Sequence, residues 1–171
     1  PGQFTLSALL CVMAVCLAIF ASAVVRSLHR LGCSALPAYF VVAMAISCAG
    51  VGLFSYPHPL HNIFGMSETV GVQTPLVAAL ACWRAPGARQ LAIFSIIMYA
   101  VVLVAIAVNL IPLVRPAGLW PLVRPYFGIV QRFLFLSWFA WCAGYAMLLL
   151  KAGRADNSIQ RMQTGDAGPR H

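Results

Sequence analysis

The chain has 171 residues, of which 62% are hydrophobic and only 8% charged, with a formal net charge of +8. Soluble domains are roughly 45–50% apolar and about 25% charged, so a water-soluble globular core is excluded. Nucleic acid is excluded as a partner too, because the basic residues fall between or just beyond apolar runs and form no patch with stacking aromatics.

Five apolar runs follow one another, at 4–25, 36–54, 63–83, 91–111 and 127–150. Each is near the length that crosses about 30 Å of hydrocarbon at ~1.5 Å per residue. Backbone groups in lipid must satisfy one another, so such runs are helices. The fold class expected is therefore all-α, a polytopic transmembrane helix bundle over 1–151. The first run is too long for a signal-peptide core and no basic region precedes it, so it is read as a span. The third is the weakest, since it holds Glu68, Gln73 and Pro75; Pro75 is expected to kink it near Gln73. The small residues of Cys48-Ala49-Gly50-Val51-Gly52 in the second run suit close helix approach.

The links alternate in charge. The first carries Arg26 and Arg30, the third Arg84 and Arg89, and the tail Lys151, Arg154, Arg161 and Arg170, while the second carries neither Lys nor Arg. The positive-inside rule then places odd links and the C-terminus in the cytoplasm. The fourth link, 112–126, repeats Leu-Val-Arg-Pro at Leu113 and Leu122 and holds four prolines, which forbid a regular helix. With Trp120 and Tyr126 it reads either as a stiff, aromatic-anchored connector or as an interfacial segment whose Arg115 and Arg124 meet lipid phosphates. The polar, Gly-containing tail 152–171 is expected to be a disordered cytoplasmic segment.

Polar groups are costly in a bilayer, so their distribution carries the functional signal. His61, Asn62 and Glu68 lie near the outer end of the third span, with Gln73 deeper; Asn109 ends the fourth, and Gln131 and Arg132 lie in the first turns of the fifth. Glu68 and Arg132 are the only acid and base within spans, and an ion pair between them is expected, either fixing two helices or marking an outward-facing polar pocket. His58 and His61 are spaced to share a helical face and hold a metal with Glu68, but Pro57 and Pro59 make the segment extended or turned at His58, which spoils that geometry. Spans one, two, four and five contain no histidine for a haem. No metal or cofactor is expected, and His61 is more simply a group that bonds or caps the start of the third span. The six cysteines occur singly, without a CxxC pair, and read as small packing residues. Trp138 and Trp141 likewise read as packing groups.

The stretch Gly50-Val51-Gly52-Leu53-Phe54, then Pro57 and the His61-Asn62 pair, then Gly128-Ile129-Val130-Gln131-Arg132 opening the last helix, resembles the prokaryotic membrane family catalogued as domain of unknown function 998. The likeness covers most of 9–150. It implies about six spans, one of them preceding Pro1, in a prokaryotic plasma membrane, and it groups His61, Asn62, Gln131 and Arg132. That family has no established activity to carry over.

The first functional expectation is a protein without catalysis whose pocket (His61, Asn62, Glu68, Gln73, Asn109, Gln131, Arg132) binds a lipid head group, a small ligand or a partner subunit. The alternative is an enzyme acting on a lipid or isoprenoid head group, with His61 and Glu68 as acid–base groups and Arg132 steadying phosphate. Transport is less favoured, because no inverted repeat is present and the inner half offers no polar path.

Overall fold

A computed structural model describes residues 2–54, 57–114, 118 and 120–165. Among them every regular element is helical. Helix α1 (Gly2–Arg30) runs down the bundle and α2 (Leu36–Leu53) returns; α3 (Pro59–Gly71) and α4 (Thr74–Cys82) descend in series; α5 (Arg89–Val114) rises; the short α6 (Trp120–Val123) leads into α7 (Phe127–Gly165), which descends. Below, the end holding the starts of α3 and α7 is called the upper end.

Local sequence explains where these helices stop and start. Gly32 takes φ +66°, the left-handed conformation that a side chain resists, and the Cys33 N–H reaches back to the Leu28 carbonyl at 2.9 Å, closing α1 with a Schellman-type turn. The Ser34 hydroxyl accepts from the Leu36 N–H at 3.2 Å, and Pro37 follows where its missing N–H costs nothing. His58 is extended (φ −61°, ψ 135°) and caps α3, its Nδ1 accepting from the Leu60 N–H at 3.2 Å.

Four helical segments are long and apolar enough to cross a membrane: Phe4–Arg30, Leu36–Leu53, Pro86–Ile111 and Trp120–Arg154. The third apolar run is instead divided into α3 and α4, of 13 and 9 residues, with the break at Val72 and Gln73. Its cause is Pro75. A helix would bond the N–H at 75 to the carbonyl at 71, and proline has none to give. The Gly71 carbonyl accepts instead from the Thr74 hydroxyl and, at 3.1 Å, from the Trp138 indole N–H of α7. A broken helix at membrane depth is tolerated when protein groups take over its freed backbone in this way.

Two further expectations are corrected. Helix α5 continues through Pro112 to Val114, and much of the remaining fourth link is also helical, as α6 and a 3-10 turn at Arg124–Tyr126 that runs directly into α7. The tail is not irregular from residue 152: α7 persists to Gly165, with Ala, Arg, Gln and Met in this stretch as good helix formers that carry the helix past Gly153 and the weaker Asp156-Asn157-Ser158.

Helix α2 packs against α1, α3 and α4, and α5 against α4 and α7. The interior is filled by Trp138, Trp141 and Tyr145 of α7, all fully buried, with Leu28, Val41 and Met44. Trp141 stacks on Tyr145 at 4.8 Å between ring centroids, and its N–H donates to the Ser95 hydroxyl at 3.0 Å. These tryptophans are packing groups with satisfied N–H donors. Large apolar side chains such as Phe4, Leu9, Ile19, Ile46, Leu80 and Leu136 point outward in every helical layer, an apolar surface suited to lipid rather than water.

Candidate functional site

Close approach of α2 and α3 sets the upper end. A Cβ at Gly50 would lie 2.1 Å from the Phe64 ring, and one at Gly71 would lie 2.6 Å from the Met44 Cβ, so both glycines are steric requirements. The Ser47 and Ser67 hydroxyls meet across this seam at 2.7 Å. Each also lies in reach of a carbonyl on its own helix, of Ala43 and Phe64 respectively, so one hydroxyl donates across the seam while the other donates locally. His61 ties the two helices at their junction: its Nδ1 lies 2.8 Å from the Phe54 carbonyl, which only accepts, so Nδ1 carries the proton. Phe54 stacks on both His58 (5.1 Å) and Phe64 (5.7 Å).

A groove of about 150 Å³ opens between α3, α5 and α7 near this end. Glu68 and Thr69 of α3 face Ile106 and Asn109 of α5, with Leu134 and Phe135 of α7 as the third wall. Asn109 is held by two bonds through Nδ2, to the Ala105 carbonyl at 2.8 Å and across to the Val130 carbonyl of α7 at 3.3 Å. Both bonds use its amide N–H groups, so its Oδ1 is not engaged by this clamp. Glu68 is half-buried and forms no hydrogen bond or ion pair among the described residues. The groove thus combines an acid and an amide acceptor with apolar walls, and no basic residue lines it.

The residues singled out from the sequence divide three ways. Glu68 and Asn109 come together in the groove. His61 and Gln73 are at structural joints: Gln73 stands at the α3–α4 break, accepting from the Tyr99 hydroxyl at 2.7 Å and donating to the Thr69 carbonyl at 3.3 Å. Asn62, Gln131, Arg132 and Arg124 are exposed and line no part of the groove, while Arg115 lies outside the described residues. The expected Glu68–Arg132 ion pair is absent, because Glu68 faces α5 and the Leu134–Phe135 wall while Arg132 points away from the bundle. His58 and His61 are each committed to backbone groups, and no three His, Cys, Asp or Glu side chains among the described residues are placed to hold a metal.

Sequence reasoning missed Ser47, Ser67, Thr74 and Tyr99. Each is a hydroxyl in an apolar run, and its only available signal was that a lone hydroxyl in lipid seeks a partner. No family model, curated protein or solved structure matches the chain.

Proposed function

We propose that this chain is a five-crossing membrane protein that holds a lipid head group in the α3–α5–α7 groove. The observation that supports this reading is that Glu68 and Asn109 line one groove whose other walls, Thr69 apart, are apolar. In this reading α3 and α4 together form the third crossing, since residues 59–82 span roughly 36 Å at ~1.5 Å per residue. Intramembrane carboxylates are expensive and are kept where something engages them. A carboxylate and an amide oxygen both accept, so the chemistry that fits is a head group rich in donors, above all a primary ammonium; phosphate is disfavoured because no cation lines the groove.

The plasma-membrane location, a cytoplasmic lower end and the kinship with the domain of unknown function 998 family belong to the same proposal. The acid–base alternative is less favoured, because His61 spends its Nδ1 proton on the Phe54 carbonyl and does not line the groove with Glu68. The test is native mass spectrometry of the protein released from bilayers of phosphatidylethanolamine and phosphatidylcholine. Wild type is expected to retain the ethanolamine lipid preferentially, and Glu68→Ala to lose that preference by about tenfold, equivalent to ~1.4 kcal/mol. Equal retention by the variant removes the groove as the site.

A further inference from the structure

At the opposite end of the bundle, two adjoining crevices open where the 3-10 turn Pro86–Ala88 leads into α5. The larger recess, about 310 Å³, holds Trp83, Arg84 and Arg89, and its neighbour, about 290 Å³, holds Arg89, Gln90 and Lys151. Arg89 is common to both. Three cations from three parts of the chain, just beyond α4, at the start of α5 and in the middle of α7, therefore line a concavity made of two crevices joined at Arg89, with Arg84 in one and Lys151 in the other, and the lining includes no acidic residue. Arg84, Arg89 and Lys151 are exposed, and none is engaged in an ion pair among the described residues.

Like charges placed together without a counter-ion raise the local potential and favour an anion. The guanidinium fork of Arg89 suits two oxygens of a tetrahedral oxyanion, while the Lys151 ammonium supplies a point charge from the facing helix. The surroundings say which anion. Leu91 and Leu148 form an apolar side of the crevice, Trp83 is exposed at its rim as an interfacial aromatic would be, and Leu80 and Leu150 point outward next to it. An ion bound here sits where polar head meets acyl chain.

We propose that this concavity is a phosphate site, and that it takes the phosphodiester of an anionic phospholipid, with Arg89 and Lys151 as the principal contacts and Arg84 at the rim. Basic pockets between transmembrane helices are a recurring way of holding such head groups. The site is separate from the Glu68 groove in place and in charge, so the two proposals stand or fall independently.

The experiment measures phosphatidylglycerol retained by the purified full chain after exchange into a neutral detergent, and, in parallel, the thermal midpoint with added phosphatidylglycerol or with inorganic phosphate. Arg89→Gln/Lys151→Gln is expected to reduce retained lipid at least tenfold and to abolish the lipid-induced rise in midpoint. Arg26→Gln/Arg30→Gln removes the same charge elsewhere at this end and is expected to leave both unchanged. Arg89→Lys, which keeps the charge, is expected to retain part of the binding and guards against a folding defect in the double variant. Equal loss in both double variants, or loss in neither, overturns the site. A rise with inorganic phosphate that depends on Arg89 and Lys151, with none for the lipid, overturns the lipid assignment in favour of a soluble phosphate ligand.

Discussion

Gly71 meets two demands at once. Its missing side chain lets α3 rest against Met44 of α2, and its carbonyl is the one that Pro75 leaves without a helical donor. Gly71→Ala would press a methyl group to 2.6 Å from the Met44 Cβ and 3.0 Å from its Cα, and backbone cannot yield as a side-chain tip does. Overpacking of this kind costs about 1–3 kcal/mol, so a fall in thermal midpoint in detergent is expected. An unchanged midpoint would mean that α2 and α3 do not approach as described. Cys33 offers a chemical test at the same scale. It lies in the link between α1 and α2, is 6% exposed, and burial, with Cys82 as a lesser contributor, pushes its thiol from 9.0 up to about 12. The thiolate is the reactive form, so at neutral pH roughly a thousandfold less of it is present than for a thiol of ordinary pKa. In a variant that keeps Cys33 as its single cysteine, maleimide labelling should be very slow in the folded protein and rise about tenfold per pH unit, then become fast at pH 7.5 once the chain is unfolded in dodecyl sulfate. Rapid labelling of the folded form would place Cys33 in water.

Among the elements, the α3–α4 pair shows most clearly what could be read from the sequence. Pro75 beside Gln73 was enough to locate a disturbance, because the loss of an i to i−4 bond is a local property of proline. The identity of the group that repairs it was not legible: Trp138 lies 67 positions away, and only the packing of α7 brings its indole to the Gly71 carbonyl. Glu68 and Arg132 fail for a related reason. Sequence position fixes depth along a helix at ~1.5 Å per residue but leaves the direction around the axis to tertiary packing, and that direction separates them. By contrast, the departure from helix at His58 between two prolines and the close approach at the glycines of α2 were legible, although which helix each glycine meets was left to tertiary packing. The break also carries a measurable coupling. Tyr99 of α5 donates to the Gln73 side chain, so Tyr99→Phe and Gln73→Leu should each destabilise and the double variant should cost less than their sum. The coupling expected is of order 0.6 kcal/mol, the size typical of hydrogen bonds between helices in membranes. Strict additivity of the two effects would mean that no bond holds α5 to the break.

At the scale of the whole molecule, the arrangement of charge and the number of crossings must agree. Arg26, Arg30, Arg84, Arg89, Lys151 and Arg154 all belong to the lower end, where α1 and α4 finish, α5 begins and α7 completes its apolar stretch; Arg124 and Arg132 belong to the upper end. That asymmetry is what a single orientation with the lower end in the cytoplasm requires. It holds only if α3 and α4 carry the chain from one side to the other, since neither is long enough alone and the alternative is a re-entrant pair that returns to the side it left. The two arrangements differ in one observable. Asn62 and Gly87 are both exposed, one in the first turn of α3 and one beyond the end of α4. With the native cysteines replaced by serine, Asn62→Cys and Gly87→Cys should react with a membrane-impermeant maleimide from opposite faces of sealed, uniformly oriented vesicles, and Gly153→Cys should react from the same face as Gly87→Cys. Labelling of Asn62→Cys and Gly87→Cys from one face would leave four crossings. It would make the break at Val72 and Gln73 the tip of a re-entrant turn, and would place both ends of the described chain on the same side.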